Sequence, residues 1–263
     1  MAVLGFIGMG NMGYAMLKGC KKAFEQGDII FHSNSMEKMK KISEDEDIQY
    51  GESNINVASN AKYIIMAVKP QMFDTIINEI NEVITEEKII ISLAPGFTIK
   101  QLKDKFKAGR IVRTMPNTPA MVGEGMTGVC YDDNFSKDEM QVIEKIFSSF
   151  GKMRVVNEKL MNAVVCASGS SPAYVFMFME ALADSAVKCG LPRKDAYEFV
   201  AQTVLGSAKL MLETGMHPGA LKDMVCSPGG TTIAGVAELE KNGLRKAIFE
   251  ATDACFDKCN NIV

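Results

Sequence analysis

A glycine-rich segment near the amino terminus constrains the fold more than any other feature of the sequence. Gly8-Met-Gly-Asn-Met-Gly13 directly follows the apolar stretch Val3–Ile7 and opens a helical segment, which is the context that a dinucleotide-binding GxGxxG motif requires. In that setting Gly8 permits a tight turn, Gly10 lets the backbone approach a pyrophosphate, and Gly13 lets the helix pack close to the strand. The pattern therefore predicts a Rossmann-like, dinucleotide-binding fold rather than a glycine turn without a ligand.

The first 157 residues alternate short apolar runs with helical patterns, as buried parallel strands in βαβ units do. The predicted strands are Val3–Ile7, Ile29–His32, Tyr63–Val68, Lys88–Ser92, Ile111–Met115, Met126–Tyr131 and Met153–Val156. The predicted helices are Met12–Gln26, ended by Gly27, then Phe73–Val83 and Lys137–Phe150. The implied architecture is an α/β doubly wound sheet.

From residue 158 onward the strand patterns give way to long helical ones, punctuated by glycine and proline. The predicted helices are Ala173–Cys189, Lys194–Glu213, Pro218–Val225, Thr232–Lys241 and Leu244–Asn260. We therefore expect two domains: an NAD(P)-binding Rossmann-like domain over residues 1–157 and an all-helical domain over residues 158–263.

Composition argues against several classes of function. A net charge of −3 and a pI of about 5.6 disfavour binding to nucleic acid or to anionic membranes. The sequence has no apolar run of the length that spans a bilayer, and no basic segment precedes an apolar stretch at its start. Seven cysteines without a CxxC pair, together with only two histidines, fit neither a metal site nor a disulfide framework. We expect a cytoplasmic protein without a metal.

The end of the second predicted strand bears on the choice of cofactor. A dinucleotide fold that prefers NAD usually has an acid about 20 residues past the glycines, where it accepts from the ribose 2′-OH. Here His32 is followed by Ser33-Asn-Ser35; the nearest later acid is Glu37, and Asp28 lies at the opposite end of the strand. Hydroxyl and amide groups, with Lys38 nearby, can hold a 2′-phosphate without repulsion. The loop thus favours NADPH, with NADH as an alternative, unless Ser33–Ser35 serves only as a helix cap.

Three more loops follow predicted strands and should lie at the same edge of the sheet. They are Lys69-Pro70, Ser92–Gly96 and Thr114–Thr118. Ligands in open α/β sheets bind outside the carboxyl ends of the strands, so these loops could enclose a nicotinamide ribose. For Lys69 alone, a solvated surface charge is an equal alternative.

A second glycine turn lies in the helical half. Ser227-Pro-Gly-Gly230 leads into a helix that opens with Thr231 and Thr232. A glycine turn at a helix amino terminus is suited to an anion, and a small carboxylate would fit. Spacing alone favours an ordinary helix-capping turn.

The stretch from Asp223 to Glu240 resembles the SxGGxT signature of pyrroline-5-carboxylate reductases. Other segments resemble that family in the same order along nearly the whole chain. They are Gly8–Gly13, Ala67–Pro70, Arg113–Pro119 and Ser168–Tyr174.

The resemblance implies NAD(P)H-dependent reduction of 1-pyrroline-5-carboxylate to L-proline, the last step of proline biosynthesis. With the loop after the second strand, it implies cofactor contacts at Ile7, Gly8, Met9, Gly10, Asn11, Met12, Ser33, Asn34, Asn54, Ala67, Val68, Lys69, Pro70, Ala94 and Gly96. It implies substrate contacts at Val225, Ser227, Gly229, Gly230, Thr231 and Thr232, with Thr232 as the catalytic residue.

The resemblance further implies that the helical domain forms an interlocked dimer, which in the family often assembles into decamers. Two residues depart from the family pattern. Pro95 removes one backbone N–H from the loop beside the nicotinamide, and Cys226 stands where the family usually has serine.

Two other functions stay open at this point. A β-hydroxyacid dehydrogenase shares an opening like Gly5–Gly13, but it needs a catalytic lysine on the first long helix of its second domain, and Ser171–Ala183 contains none. A dinucleotide-sensing module without turnover is the alternative outside enzymes.

Overall fold

The computed structural model describes residues 2–131 and 135–261. The strands are β1 Ala2–Ile7, β2 Ile29–His32, β3 Gln49–Tyr50, β4 Ala61–Met66, β5 Ile89–Ser92, β6 Arg110–Met115, β7 Gly125–Tyr131 and β8 Gly151–Val155. The helices of the same half are α1 Asn11–Lys21, α2 Met36–Glu46, α3 Asn54–Asn60, α4 Phe73–Ile80, α5 Ile99–Lys105, α6 Lys137–Ser148 and α7 Met161–Val164.

The strands form one sheet in the order β3-β2-β1-β4-β5-β6-β7-β8. Neighbouring strands run parallel except β6 and β7, which pair antiparallel. The chain starts in the middle of the sheet, builds outward to β3, and then crosses to the other side of β1. This order is that of a dinucleotide-binding doubly wound sheet, whose crevice lies at the switch between β1 and β4. The predicted fold class is confirmed.

Helices cover both faces of the sheet, and each face has its own buried core. Phe6, Phe31 and Phe147 are fully buried on one face, whereas Ile64, Phe73 and Ile90 are fully buried on the other. Strands buried on both faces are nearly continuous apolar runs, which explains the apolar stretches Tyr63–Met66 in β4 and Ile89–Ile91 in β5. The strands of the N-terminal half were therefore predicted from apolar runs and not from an alternation of apolar and polar residues.

The structure corrects the first predicted helix. The prediction ran over Met12–Gln26, but α1 ends at Lys21 and the chain then turns into a 3₁₀ segment at Gln26–Asp28. The amide of Phe24 donates to the carbonyl of Cys20 in the turn, and the Phe24 side chain packs on the core. Residues 22–26 have a helical pattern, but the helix ends before them because the chain must turn back to enter β2 at Ile29.

Short elements were missed by the sequence analysis. The two-residue strand β3 has too few residues to show a period, and α2, α3, α5 and α7 were not predicted. Capping residues nevertheless mark three of these helices, because Ser35, Ser53 and Thr98 each accept from a backbone amide three residues on. Thr98 and Gln101 form a full capping box.

The chain divides into two compact units. One runs to Ser170 and includes the end of the chain from Phe256, and the other is Ser171–Cys255. A π-helical turn at Val165–Gly169 precedes the second unit. Its helices are α8 Ser171–Lys188, α9 Arg193–Thr214, α10 Pro218–Val225, α11 Thr231–Lys241 and α12 Leu244–Asn260, the last of which continues into the first unit. The expected boundary after residue 157 stays a prediction.

The second unit buries little of its apolar surface within one chain. Ala183, Ala196 and Val200 form a small core between α8 and α9, yet Phe176, Phe199 and many other large apolar side chains are exposed. The helical segment Glu158–Lys188 could cross a membrane by length and composition alone, since a window of 18 residues within it has a mean hydropathy of 1.2. Exposed apolar helices suit an interface between protein chains equally well, so this single segment is weak support for a membrane location.

Candidate active site

The carboxyl ends of the parallel strands are aligned at one edge of the sheet. Ile7 pairs with His32 on one side and Met66 on the other, Met66 pairs with Ser92, and Ser92 with Arg113. The loops that follow these residues therefore emerge side by side. This alignment brings together the glycine loop, the loop after β2 and the segments that begin at Ala67 and Leu93.

Two of the three motif glycines are required by close packing. Gly8 has a φ of +97°, and a Cβ there would lie 2.5 Å from Val68 Cγ1. A Cβ on Gly13 would lie 2.3 Å from the Gly8 carbonyl oxygen and 3.0 Å from Ala67 Cβ. Helix α1 can therefore approach the β1–β4 junction only because both positions lack side chains.

Gly10 differs from both of its neighbours in the motif. It is exposed, and a Cβ built on it would have nothing within 4 Å. As the N-cap of α1 it offers no side-chain acceptor, so the first amides of this helix are left for a ligand or for water. Open space over a helix amino terminus fits a pyrophosphate.

The other residues predicted in this loop differ in how they could touch a cofactor. The side chains of Ile7 and Met9 are buried in the core, which leaves only their backbones, and the Ile7 carbonyl already accepts from the Ala67 amide at 2.8 Å. Asn11 is exposed at the start of α1, and Met12 is half-buried against the core.

In the loop after β2, one residue caps helix α2 and another is exposed to solvent. Ser35 is the N-cap of α2, and its hydroxyl accepts from the Lys38 amide at 3.3 Å. The helix-cap interpretation therefore holds for Ser35. The Ser33 amide donates to Met39 Sδ at 3.2 Å, and Asn34 is exposed, so the Ser33 hydroxyl and the Asn34 amide are the groups with which the loop could meet a ribose.

Asn54 lies in the first turn of α3 and is buried. Its Nδ2 donates to Glu79 Oε2 on α4 at 2.9 Å. The carboxamide is therefore held in one orientation by a residue that the sequence analysis did not single out. Because Glu79 lies 25 residues further along the chain, no local pattern could have indicated the pair.

The loops after β4 and β5 contribute fewer free groups than expected. Lys69 is exposed and precedes a 3₁₀ turn that begins at Pro70. The Ala94 amide donates to the Ser92 hydroxyl at 3.3 Å, and Pro95 has no N–H. Gly96, which has a φ of +93°, keeps the backbone N–H that Pro95 lacks.

A cavity of about 100 Å³ opens beside the glycine loop. Gly10 and Asn11 line it, together with Lys18 of α1 and Lys38 of α2. Lys18 was not predicted as a site residue, although the helical spacing from Asn11 through Tyr14 to Lys18 places all three on one face of α1.

Tyr14 fixes one wall of this cavity. Its hydroxyl donates to Glu46 Oε1 at 2.6 Å, and Lys21 donates to the other oxygen of Glu46 at 3.2 Å. The hydrogen bond to Glu46, together with burial, raises the pKa of Tyr14 to about 12. The ring therefore stays neutral and anchored near neutral pH, with the Lys18 ammonium 5.4 Å from its centroid.

The second glycine turn has the geometry that its sequence suggests. The Gly230 amide donates to the Ser227 carbonyl at 3.0 Å, and Gly229 has a φ of +68°, as the third position of a type II turn with proline second requires. A Cβ on Gly230 would lie 2.4 Å from Ser227 Oγ, so the hydroxyl rests directly against the glycine backbone.

This turn ends at the start of α11. Gly230 is its N-cap and has no capping side chain, which leaves the first amides open to an anion. Thr231 is exposed, Thr232 is half-buried in the same first turn, and Val225 ends α10 just before the turn. The substrate residues predicted from sequence thus form one local cluster.

Comparisons with known proteins cover both halves of the chain. A family model described as pyrroline-5-carboxylate reductase dimerisation matches residues 158–262, and one described as NADP oxidoreductase, coenzyme F420-dependent, matches residues 3–96. Pyrroline-5-carboxylate reductase of Escherichia coli is 45% identical over 98% of this chain and 97% of its own length.

Solved structures of that family superpose on the chain. A pyrroline-5-carboxylate reductase from Coxiella burnetii has a TM-score of 0.92 at 33% identity and covers 99% of this chain and 98% of its own. The Plasmodium falciparum pyrroline carboxylate reductase, solved with NADP bound, has a TM-score of 0.87 at 32% identity and covers 98% and 97%.

Proposed function

Since this chain belongs to the pyrroline-5-carboxylate reductase family, we infer that it reduces the imine bond of 1-pyrroline-5-carboxylate to L-proline with NADPH or NADH. The observation that carries this conclusion is the 45% identity to the Escherichia coli enzyme over 98% of the chain. A match of that extent includes both glycine turns, and so the cofactor region and the substrate region together. The chain is an oxidoreductase, and its cofactor is NAD(P)H.

The reaction adds a hydride to the imine carbon and requires a proton on the nitrogen. When bound, NAD(P)H supplies the hydride. The amides of the first turn of α11 hold the substrate carboxylate, because open amides at a helix amino terminus favour an anion. A protonated imine is already electrophilic, which suits a turn that contains no acid or histidine.

We assign the ring nitrogen to Thr232. A hydroxyl can both donate and accept, so Thr232 can contact the nitrogen in either protonation state. It lies in the same helical turn as the carboxylate-binding amides, one short side-chain length from them. In this assignment Val225, Ser227, Gly229, Gly230 and Thr231 shape the carboxylate site.

For the cofactor we propose contacts at the fifteen residues expected from the sequence, and a preference for NADPH. The exposed Gly10 and Asn11 amides would hold the pyrophosphate, whereas Ser33 and Asn34 would meet the adenosine ribose. No carboxylate stands at the end of β2 to repel a 2′-phosphate or to accept from a 2′-OH.

The chain associates with itself, and we propose an interlocked dimer as its smallest unit, with a decamer as the larger assembly. The most exposed apolar side chains of the helical unit support association, and they include Phe176, Met177, Phe199, Leu212 and Phe249. Light scattering should return at least twice the chain mass of 28.7 kDa; a stable, active monomer would reject the dimer. We also propose a cytoplasmic location, since an odd set of cysteines suits a reducing compartment.

Activity is tested by following NADPH oxidation by the purified protein with pyrroline-5-carboxylate near neutral pH. We expect steady turnover with this substrate, and none with 3-hydroxyisobutyrate and NAD, which would serve a β-hydroxyacid dehydrogenase. Binding of NADPH without turnover by folded protein would indicate a sensing module and reject the proposal.

A further inference from the structure

We propose that Lys38 and Lys18 bind the 2′-phosphate of NADPH in the cavity beside Gly10, and that this pair sets the preference for NADPH over NADH. The inference rests on the proposed function, because it assumes that the glycine loop holds a dinucleotide. It adds a source of positive charge where the loop after β2 supplies only neutral groups.

The two lysines come from different helices and converge on one cavity. Lys18 lies in the third turn of α1 and Lys38 in the first turn of α2, and both line the space of about 100 Å³ that Gly10 and Asn11 bound. Among the residues lining that space there is no acid. An anion that enters it would meet two lysine residues and the open amino terminus of α1.

Neighbouring carboxylates offset only part of the positive charge that Lys18 and Lys38 bring to the cavity. Glu46 and Asp45 are the acids whose charges act on Tyr14 beside Lys18. Of these, Glu46 already accepts from the Tyr14 hydroxyl and from Lys21 Nζ. Burial by itself raises the pKa of Glu46, and these two hydrogen bonds with Lys21 and Lys18 nearby lower it overall. Lys18, Lys21 and Lys38 thus outnumber Glu46 and Asp45, the two carboxylates whose charges act on Tyr14.

The position of Lys38 selects the 2′-phosphate over the pyrophosphate. Lys38 is tied to the loop after β2, since its amide donates to Ser35 in the cap of α2. That loop ends the strand beside β1 and would meet the adenosine ribose. The pyrophosphate is shared by NADH and NADPH and has its own partners in the Gly10 and Asn11 amides. Lys38 on α2 is therefore placed to bind the 2′-phosphate, which NADPH has and NADH lacks.

The experiment measures binding without catalysis. Isothermal titration at fixed ionic strength gives dissociation constants of NADPH, NADH, 2′,5′-ADP and 5′-AMP for the full-length wild type, Lys38→Met, Lys18→Met and Lys40→Met. Methionine keeps the length of the side chain and removes the charge. Lys40 is the matched control, because it is an exposed lysine on α2 on the other side of the buried Met39.

We expect Lys38→Met to weaken NADPH and 2′,5′-ADP about tenfold, which is about 1.4 kcal/mol, and Lys18→Met to weaken them several-fold. NADH and 5′-AMP should change less than about twofold in both variants, and Lys40→Met should match the wild type within that limit. The losses should shrink at high salt, because salt screens exposed charges.

Three results would overturn the inference. Equal losses for NADPH and NADH would assign the lysines to the pyrophosphate, and unchanged affinities would show that they touch neither phosphate. An equal loss of NADPH affinity in Lys40→Met would show that the effect comes from the net charge of the protein and not from a contact with the 2′-phosphate. If the wild type itself bound neither dinucleotide, the proposed function would fail along with this inference; if it bound both but did not turn over pyrroline-5-carboxylate, only the proposed function would fail.

Discussion

Two glycines three residues apart in the same motif should respond to alanine in opposite ways. Gly10→Ala places a methyl group in open space, whereas Gly13→Ala places one 2.3 Å from the Gly8 carbonyl oxygen. We expect Gly10→Ala to fold normally and lose the cofactor. We expect Gly13→Ala to lose stability before any cofactor is added.

The magnitudes follow from the local geometry. Gly10 has φ −69° and ψ −174°, which alanine also adopts; alanine is a poorer N-cap by about 1 kcal/mol, and a stiffer unfolded chain offsets about 0.4–1 kcal/mol of that loss. The net change should stay within about 0.5 kcal/mol. At Gly13 a helical alanine gains about 1 kcal/mol, but overpacking against rigid backbone costs about 3 kcal/mol. The net loss should be about 2 kcal/mol.

The assay combines urea unfolding of the ligand-free protein with an NADPH titration. Protein concentration must be held constant, because self-association shifts the unfolding midpoint. For Gly10→Ala we expect wild-type stability with NADPH affinity reduced by at least about tenfold. Equal destabilisation of the two variants would refute the distinction drawn from the packing, and wild-type NADPH affinity in Gly10→Ala would show that the pyrophosphate does not lie over this residue.

Other substitutions test the substrate site, cofactor choice and the edge of the sheet remote from the cofactor. Thr232→Ala should lower kcat/KM about ten- to a hundredfold, since a hydrogen bond to a charged group contributes about 1.5–3 kcal/mol; NADPH binding should be retained and Thr232→Ser should restore much of the activity, so equal failure of both variants would argue against the hydroxyl. Asn34→Asp should shift the ratio of specificity constants toward NADH by at least about tenfold, because a carboxylate repels the 2′-phosphate; an unchanged ratio would mean that the ribose lies elsewhere. Glu139 accepts two hydrogen bonds from Arg110 at 2.6 Å, and they hold the pKa of Glu139 well below its ordinary value despite burial. Glu139→Gln should lower the unfolding free energy by about 3 kcal/mol at pH 7. This difference from wild type should shrink as pH falls below about 4.3, where the carboxylate of the unfolded state becomes protonated. The exposed Glu82→Gln is the control, expected within about 0.5 kcal/mol, and a pH-independent deficit in Glu139→Gln would contradict the assigned ion pair.

Sequence alone determined the parts of this protein that depend on local periodicity and on backbone geometry. Seven strands were predicted to within about two residues at each end. For the inner parallel strands the reason is that strands covered on both faces are apolar over most of their length. The packing roles of Gly8 and Gly13 were likewise predicted from sequence, since only glycine permits those close approaches. The turn at Ser227–Gly230 was predicted from its proline and glycines, and the structure gives it type II geometry.

Tertiary structure decided what depends on residues far apart in the chain. The end of α1 at Lys21, the two-residue strand β3 and the Asn54–Glu79 hydrogen bond have no local signature. The same holds for the meeting of Lys18 and Lys38, which belong to helices separated by a strand. Periodicity reports which face of a helix is buried, but the neighbour of an exposed face is set by how the elements pack, and only the folded chain brings these two charges to one cavity.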